Sequence, residues 1–321
     1  MPERSPFPFV VGCGRSGTTL VRALLDAHPQ VAVPDESYFP AWFGRVRSRY
    51  ERPDGFARDR LVTDLLAHES FRRWGLDATE VRDAIARAEP ETFADTVRAY
   101  YAAYARAHRK PRYADKTPIF ALHMPELAEI FEESVFVHVV RDGRDVVLSR
   151  MEAAWGTHRV DFEALQWRSH IRTARADGSR LGPGRYREFR YEALLDDPEQ
   201  FARELCAFIR LDFDPTMLRY HERAQPLVEA MAYPEEHKNL LNPPTKGLRD
   251  WRVELTGTQL ALIEELAGDT LPAFGYERVT GPAPIGIRAR ALEARARYTS
   301  TMQFRRARAA LWHALHRDAM S

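Results

Sequence analysis

FPFVVGCGRSGTT, residues 7–19, decides the fold. Phe7 to Gly12 is a short apolar run ending in glycine, which predicts a buried strand. Gly12-Cys-Gly-Arg-Ser-Gly-Thr-Thr19 follows with the GxxxxG spacing of a phosphate-binding loop. From Ser16 to Ala27, Leu20, Leu24 and Leu25 recur at helical spacing. His28-Pro29 ends that run, because the residue before a proline avoids the helical region. Strand, glycine loop and helix in this order aim backbone N–H groups and the helix dipole at an anion. The usual loop lysine is replaced by Thr18, with Thr19 after it, and the cation is Arg15 inside the turn. A loop without that lysine is poorly equipped to reach a γ-phosphate, and an arginine in the turn suits a different anion.

Outward from this loop, Ser134 to Val140 (SVFVHVV) predicts a second buried strand, with a helix from Asp142 to Met151. Arg185 to Arg190 is a weaker strand, and Pro198 to Ile209 an amphipathic helix with Phe201, Leu205 and Phe208 on one face. Tyr38 to Lys110 reads as helical without a clear strand, an insertion that either covers a substrate pocket or simply packs. Ala224 to Arg249 is proline-rich and loop-like, and Thr256 to Leu271 is helical. The expected fold is α/β: a P-loop-like, three-layer arrangement with a central parallel sheet, a large helical insertion and a C-terminal helical tail. The expected division is one domain over 1–284, with the insertion at about 38–110, and a basic amphipathic tail over 285–321.

The chain has 321 residues and is 45% hydrophobic, 29% charged and 11% aromatic, enough to bury a large core without disulfide or metal. No apolar run approaches membrane-helix length, and the amino terminus has no apolar stretch of signal-peptide length, so a cytoplasmic location is expected. Two cysteines, Cys13 and Cys206, make neither a disulfide framework nor a zinc pattern. The formal net charge is +1, but from Ile285 onward eight arginines face only Glu293 and Asp318, so the tail carries +6 and the rest −5. Phe304, Leu311, Trp312 and Leu315 fall near one face of that tail. It would dock on its own domain, on a twin subunit in a homodimer, or on an anionic membrane surface. No base-reading module accompanies it, so nucleic acid is not an expected partner. Lysine is confined to Lys110, Lys116, Lys238 and Lys246, which makes each position informative.

The second chemical signal is VVRDGRDVVLS, residues 139–149, directly after a buried strand. Ligands of parallel sheets bind at the carboxyl ends of strands. There Arg141 and the Ser149 hydroxyl would clamp a phosphate, the arginine through bidentate bonds. Together GCGRSGTT and VVRDGRDVVLS resemble the 5′-phosphosulfate loop and the 3′-phosphate motif of sulfotransferases that use 3′-phosphoadenylyl sulfate (PAPS). RSGTTLVRALLDAHPQV followed by Glu36 is most similar to the tyrosylprotein-sulfotransferase-like branch and its bacterial relatives.

The resemblance implies a set of roles. Gly14, Arg15, Ser16, Gly17, Thr18 and Thr19 would hold the 5′-phosphosulfate, and Arg141 and Ser149 the 3′-phosphate. Tyr191, in RYEALL, would contact the nucleotide, and Lys116, in ADKTP, would assist transfer. Lys246-Gly247, in KGLRDW, would close over the cofactor, in a segment one residue shorter than the cytosolic-enzyme form. Trp251 would stack on adenine or pack. Glu36 would be the general base, its pKa raised by enclosure, with Asp35 as its neighbouring substitute. A strand at Val31 to Val33 would set Glu36 at the ligand edge of the sheet. Arg15 and Lys116 would meet the negative charge that builds on the leaving and sulfuryl oxygens, and no metal is required.

The acceptor hydroxyl would belong to a carbohydrate, a glycolipid, a small metabolite or a tyrosine. Two other classes stay open on the residues alone: a P-loop nucleoside or metabolite kinase, and a non-catalytic nucleotide-binding scaffold. The kinase would need the missing loop lysine and Mg²⁺. His28, His123 and His138 have no metal-ligand spacing, and Cys13 reads as structural.

Overall fold

The computed structural model describes residues 4–52, 55–229, 231, 233–247 and 249–315, without the side chains of 52, 306 and 309–315. Two compact units divide the chain. The first runs up to Arg141 and resumes at Thr173–Lys246; the second comprises Asp142–Arg172 and the chain from Gly247 onward.

The first unit holds the sheet. Its strands are β1 (Phe7–Gly12), β2 (Val31–Ala32), β3 (Glu51–Arg52), β4 (Gly55–Phe56), β5 (Arg112–Tyr113), β6 (Asp115–Lys116), β7 (Ser134–Val140) and β8 (Tyr186–Arg190). Four of them form a parallel sheet in the order β6-β1-β7-β8. Every residue of β1 and β7 is buried, as expected of parallel strands covered on both faces. The side chains alternate between two cores. Phe7, Phe9, Val11 and Phe136 face an aromatic cluster with helices Arg58–Ala67, Ala78–Ala88, Phe93–Ala107 and Met124–Ile130. Val10, Val135, Val137 and Val139 face helices Thr18–Ala27 and Pro198–Phe208. Phe9 alone packs its ring within 4.4–6.1 Å of Phe7, Phe120, Phe131 and Phe136. Removing a ring of this kind costs about 3–5 kcal/mol. Such packing fixes β1, and with it the loop that β1 feeds.

The α/β class with a central parallel sheet is as the sequence predicted. Four local expectations need correction. Val31–Val33 does not join the central sheet; β2 pairs with β5 in a parallel sheet of its own, Val31 opposite Arg112 and Ala32 opposite Tyr113. The insertion is not purely helical, because β3 and β4 form a short antiparallel hairpin within it. Ala224–Arg249 contains helical turns at Gln225–Glu229 and Pro234–Leu241, the second started by its proline. Thr256–Leu271 is two helices, Gly257–Ala267 and Thr270–Ala273, broken at Gly268 with φ 61°.

In the second unit, helices Gly143–Glu152, Trp251–Glu254, Gly257–Ala267 and Ile285–Leu315 share a core of Val147, Leu165, Trp251, Leu262, Leu266 and Ala291. Its polar centre is Arg144, whose guanidinium pairs with Asp142 at 2.7 Å and with the fully buried Glu264 at 2.7 Å. Glu264 also takes the N–H groups of Val279 and Thr280. Of the apolar tail face, Phe304 is exposed, while the Leu311, Trp312 and Leu315 side chains lie outside the described residues. Among the described residues, no helix is long and apolar enough to cross a membrane.

Candidate active site

The loop Gly12–Thr19 leaves β1 and enters helix Thr18–Ala27. A Cβ on Gly12 would stand 2.6 Å from the Val139 carbonyl oxygen, and one on Gly17 2.2 Å from Cδ2 of Tyr191. Gly17 also has φ 93°, so glycine is demanded there twice over. Arg15 adopts φ 76°, an unfavourable turn for a side chain of its size, and such strain costs about 1–3 kcal/mol. Among the described residues, the buried Ser16 hydroxyl has no hydrogen-bond partner and no side chain caps the helix that follows. The first N–H groups of that helix have no intrahelical acceptor. A buried orphan hydroxyl beside an uncapped helix start fits an anionic group.

Arg141 and Tyr191 close the other side. The Arg141 guanidinium lies 4.7 Å from the Tyr191 ring centroid and donates to the Arg15 carbonyl at 3.4 Å. Tyr191 itself packs against Gly17. Arg15 is paired at 3.1 Å with Glu236, from the turn Pro234–Leu241. Lys246 forms an exposed ion pair with Asp196 at 2.6 Å.

Ser149 and Gly247 belong to the second unit. Ser149 is buried on helix Gly143–Glu152, and Gly247 has φ 75°. Within that unit Trp251 packs against the Arg144 and Arg252 guanidiniums, at 3.8 and 4.4 Å from their centres. Its backbone N–H donates to Asp145 at 3.2 Å.

Lys116 and Glu36 meet. Lys116 stands on β6 opposite Val10 of β1 and is buried; its ammonium lies 2.5 Å from Glu36 Oε1. The Tyr38 hydroxyl donates to the other oxygen, Oε2. Burial pushes the Glu36 carboxyl up, but the Lys116 charge and the hydrogen bonds from Lys116 and Tyr38, with Arg22 beyond, hold it below its ordinary value. The expected rise by enclosure is therefore reversed: the same enclosure brings in a cation that outweighs it.

Asp35 is engaged elsewhere, between Arg22 at 3.2 Å and Arg73 at 3.0 Å. Arg73 and Trp74 also donate to the carbonyls of Glu36 and Asp35, at 2.9 and 2.8 Å. Helix Glu69–Trp74 of the insertion thus holds the segment that carries Glu36.

Sequence reasoning missed what lies behind this pair. Successive residues of β6 point to opposite faces, so Asp115 is fully buried beside Lys116. Tyr101 donates to Asp115 at 2.7 Å, and Thr117 accepts the Ser37 N–H at 3.0 Å. Burial drives the Asp115 carboxyl up to about 6, and the Ser37, Tyr101 and Thr117 hydroxyls offset only part of that. A carboxyl raised in the folded state stabilises the fold fully below its unfolded pKa and loses that stability as pH rises through the folded value. Asp115→Asn is expected to remove this contribution, so that between about pH 4 and pH 7 the stability of the variant changes more favourably than that of the parent, by roughly 2–3 kcal/mol. Urea unfolding at both pH values checks it, and equal pH dependence in variant and parent would refute the assignment.

His237 was missed as well. Burial, then the Arg15 and Lys116 charges, lower it to about 4 against the pull of Glu236 and Glu36, which sets a neutral imidazole among the site's charges. No spacing in the sequence announces it. His28, His123 and His138 serve local structure: His28 bonds the Asp212 carbonyl at 2.9 Å, His123 meets Glu126 at 3.0 Å, and His138 meets Tyr186 at 2.6 Å.

The profile of the sulfotransferase family matches residues 6–215. A putative protein-tyrosine sulfotransferase of Caenorhabditis briggsae is 26% identical over 283 residues, covering 84% of this chain and 88% of that protein. Protein-tyrosine sulfotransferase A of Caenorhabditis elegans is 26% identical over 224 residues, 68% of this chain and 53% of that protein, so the chain spans about half of that relative. Among solved structures, the sulfotransferase domain from the curacin biosynthetic pathway is similar in fold, with a TM-score of 0.53. It is 18% identical, over 94% of this chain and 98% of that one.

Proposed function

The chain belongs to the sulfotransferase family, and from that premise we propose that it moves a sulfuryl group from PAPS to an acceptor hydroxyl, with Glu36 as the general base. The observation that carries this is the contact of Glu36 with Lys116 at 2.5 Å, on a strand in register with the one that feeds the glycine loop. A base and a cation lie together where a phosphosulfate cradle begins.

PAPS, when bound, supplies an activated sulfuryl group and a phosphate oxygen able to leave. The residues of the chain do the rest. The loop amides of Gly14–Thr19 and the Ser16, Thr18 and Thr19 hydroxyls bind the 5′ end. Arg141 binds the 3′-phosphate, and Tyr191 contacts the nucleotide. Ser149, Lys246 and Gly247 take their cofactor-binding roles from the resemblance alone. Glu36, already ionised because its pKa is lowered, accepts the proton of the acceptor hydroxyl through one carboxylate oxygen. Lys116 and Arg15, each paired with a carboxylate, Glu36 and Glu236, turn their charge to the oxygens where negative charge grows. Asp35 is left out of the chemistry by its two arginines.

The acceptor is proposed to be a phenol, which the names of the protein-tyrosine relatives support. The reaction is proposed to be cytoplasmic, a reading the two buried thiols, Cys13 and Cys206, support.

Calorimetric titration with adenosine 3′,5′-bisphosphate in EDTA, with ATP as control, tests the donor. Tight metal-free binding of the bisphosphate and little of ATP is expected. ATP binding that returns only with Mg²⁺, and no bisphosphate binding, would refute it. In the same assay Arg141→Ala is expected to weaken bisphosphate binding by about 1.5–3 kcal/mol, the scale of hydrogen bonds to a charged group. Equal affinities would remove Arg141 from the phosphate site.

A further inference from the structure

Tyr38 is held in a conformation that its surroundings impose. The Phe39 N–H donates to the Ser37 carbonyl at 2.6 Å, and Tyr38 between them has φ 56° and ψ −40°. This is the positive-φ form of the γ-turn, which is rare and strained. Both flanks are fixed. The Ser37 N–H is bound by Thr117 at 3.0 Å, and Phe39 is fully buried with its ring 5.6 Å from Tyr100 and 5.8 Å from Trp74. The Tyr38 ring itself is only half-buried. Its hydroxyl donates to the Glu36 carboxylate. The neighbouring Arg73 guanidinium lies 6.0 Å from the ring centroid.

A phenol therefore donates its proton to the carboxylate that was read above as the base, while the other oxygen of that carboxylate holds Lys116 at 2.5 Å. An acceptor hydroxyl has to make the hydrogen bond that Tyr38 makes before it can lose its proton. We propose that Tyr38 is a stand-in for the acceptor: its phenol keeps the hydroxyl position on Glu36 and yields it to an incoming phenolic acceptor. The proposal rests on Glu36 being the base. Strain at functional sites is held only where the surroundings over-determine it. Here the flanks, not Glu36, hold the turn, so the ring leaves Glu36 by turning about its side-chain bonds while the backbone stays in place. While in place, the ring and its hydroxyl fill the space beside Oε2 of Glu36, so a water has no room there to be activated against the donor when no acceptor is present. The pocket that Tyr38 vacates has the shape of a phenol. In the transfer that follows, the acceptor O–S bond forms and the bridging O–S bond of the phosphosulfate breaks. The electron pair of that bond leaves on the phosphate oxygen, and the phenolic proton passes to Glu36.

The test uses phenol itself as the probe, with PAPS as donor and the full chain. Tyr38→Gly vacates the ring and accepts the positive φ without strain. It is expected to sulfate phenol at least about tenfold faster than the parent, the gain of a hydroxyl held in place. It is also expected to release inorganic sulfate from PAPS faster when no phenol is added. Tyr38→Phe keeps the space filled and is expected to show neither gain. A glycine variant that binds adenosine 3′,5′-bisphosphate as the parent does, yet gains neither activity, would overturn the proposal. If the glycine variant does not fold, Tyr38→Asn, whose side chain also tolerates positive φ, must show the same two gains. A parent that fails to bind the bisphosphate would instead bring down the donor assignment beneath it.

Discussion

Glu36→Gln is expected to lower turnover by about 10²–10⁴-fold, the usual contribution of a positioned general base. The amide keeps the size of the side chain and can still accept one hydrogen bond, but it cannot take a proton from the acceptor. Adenosine 3′,5′-bisphosphate should bind no more weakly than to the parent. The substitution strips Lys116 of its counter-charge, and a buried cation without a partner gains more from a nearby anion. Steady-state turnover beside calorimetric affinity separates the two effects. Turnover that survives the change would take Glu36 out of the chemistry and leave it as an ion-pair partner for Lys116.

Lys116→Ala should cost about 10²–10³-fold in turnover, the loss typical of removing one preorganised group that answers charge in the transition state. A second consequence follows from the electrostatics of Glu36. Burial acts to raise its pKa, and Lys116 supplies the largest opposing effect. Without Lys116 the burial effect is less opposed and the carboxyl moves up. The base works only when ionised, so the acid limb of the kcat/KM profile should shift to higher pH in the variant. A pH–rate profile of parent and variant reads both effects. A variant that raises KM alone, with turnover and acid limb unmoved, would give Lys116 a binding role only.

The parts legible in the sequence were those whose chemistry is local. Phe7 to Thr19 states its own structure, because a strand, a tight turn and a helix start each have a residue signature over a few positions. Lys116 was conspicuous because the chain has so few lysines. The pairing of Lys116 with Glu36, 80 residues apart, is set by sheet order, and no periodicity records it. Nor did periodicity reveal β5 and β6, which are two residues long and too short to alternate visibly, or the pairing of the expected strand at Val31–Val33 with β5. The sign of the Glu36 shift was misread because burial was visible in principle and the neighbouring ammonium was not. Tyr38 and Asp115 escaped for a related reason. One is defined by a backbone angle and the other by the face of a two-residue strand.

The five residues 112–116 are stitched twice. Arg112 and Tyr113 pair with β2, the Ala114 N–H donates to the Ala32 carbonyl at 3.0 Å, and Asp115 and Lys116 pair with β1. Four residues past Ala32 lies Glu36. One ribbon thus gauges both charges against the loop. Slipping it by a single residue would turn Lys116 into the interior and Asp115 out toward the carboxylate of Glu36, exchanging attraction for repulsion. A misthreaded chain would then announce itself chemically, as folded protein with a dead centre. Substitutions at Ala32 or Ala114, remote from any reacting atom, are where such silent mis-assembly would begin.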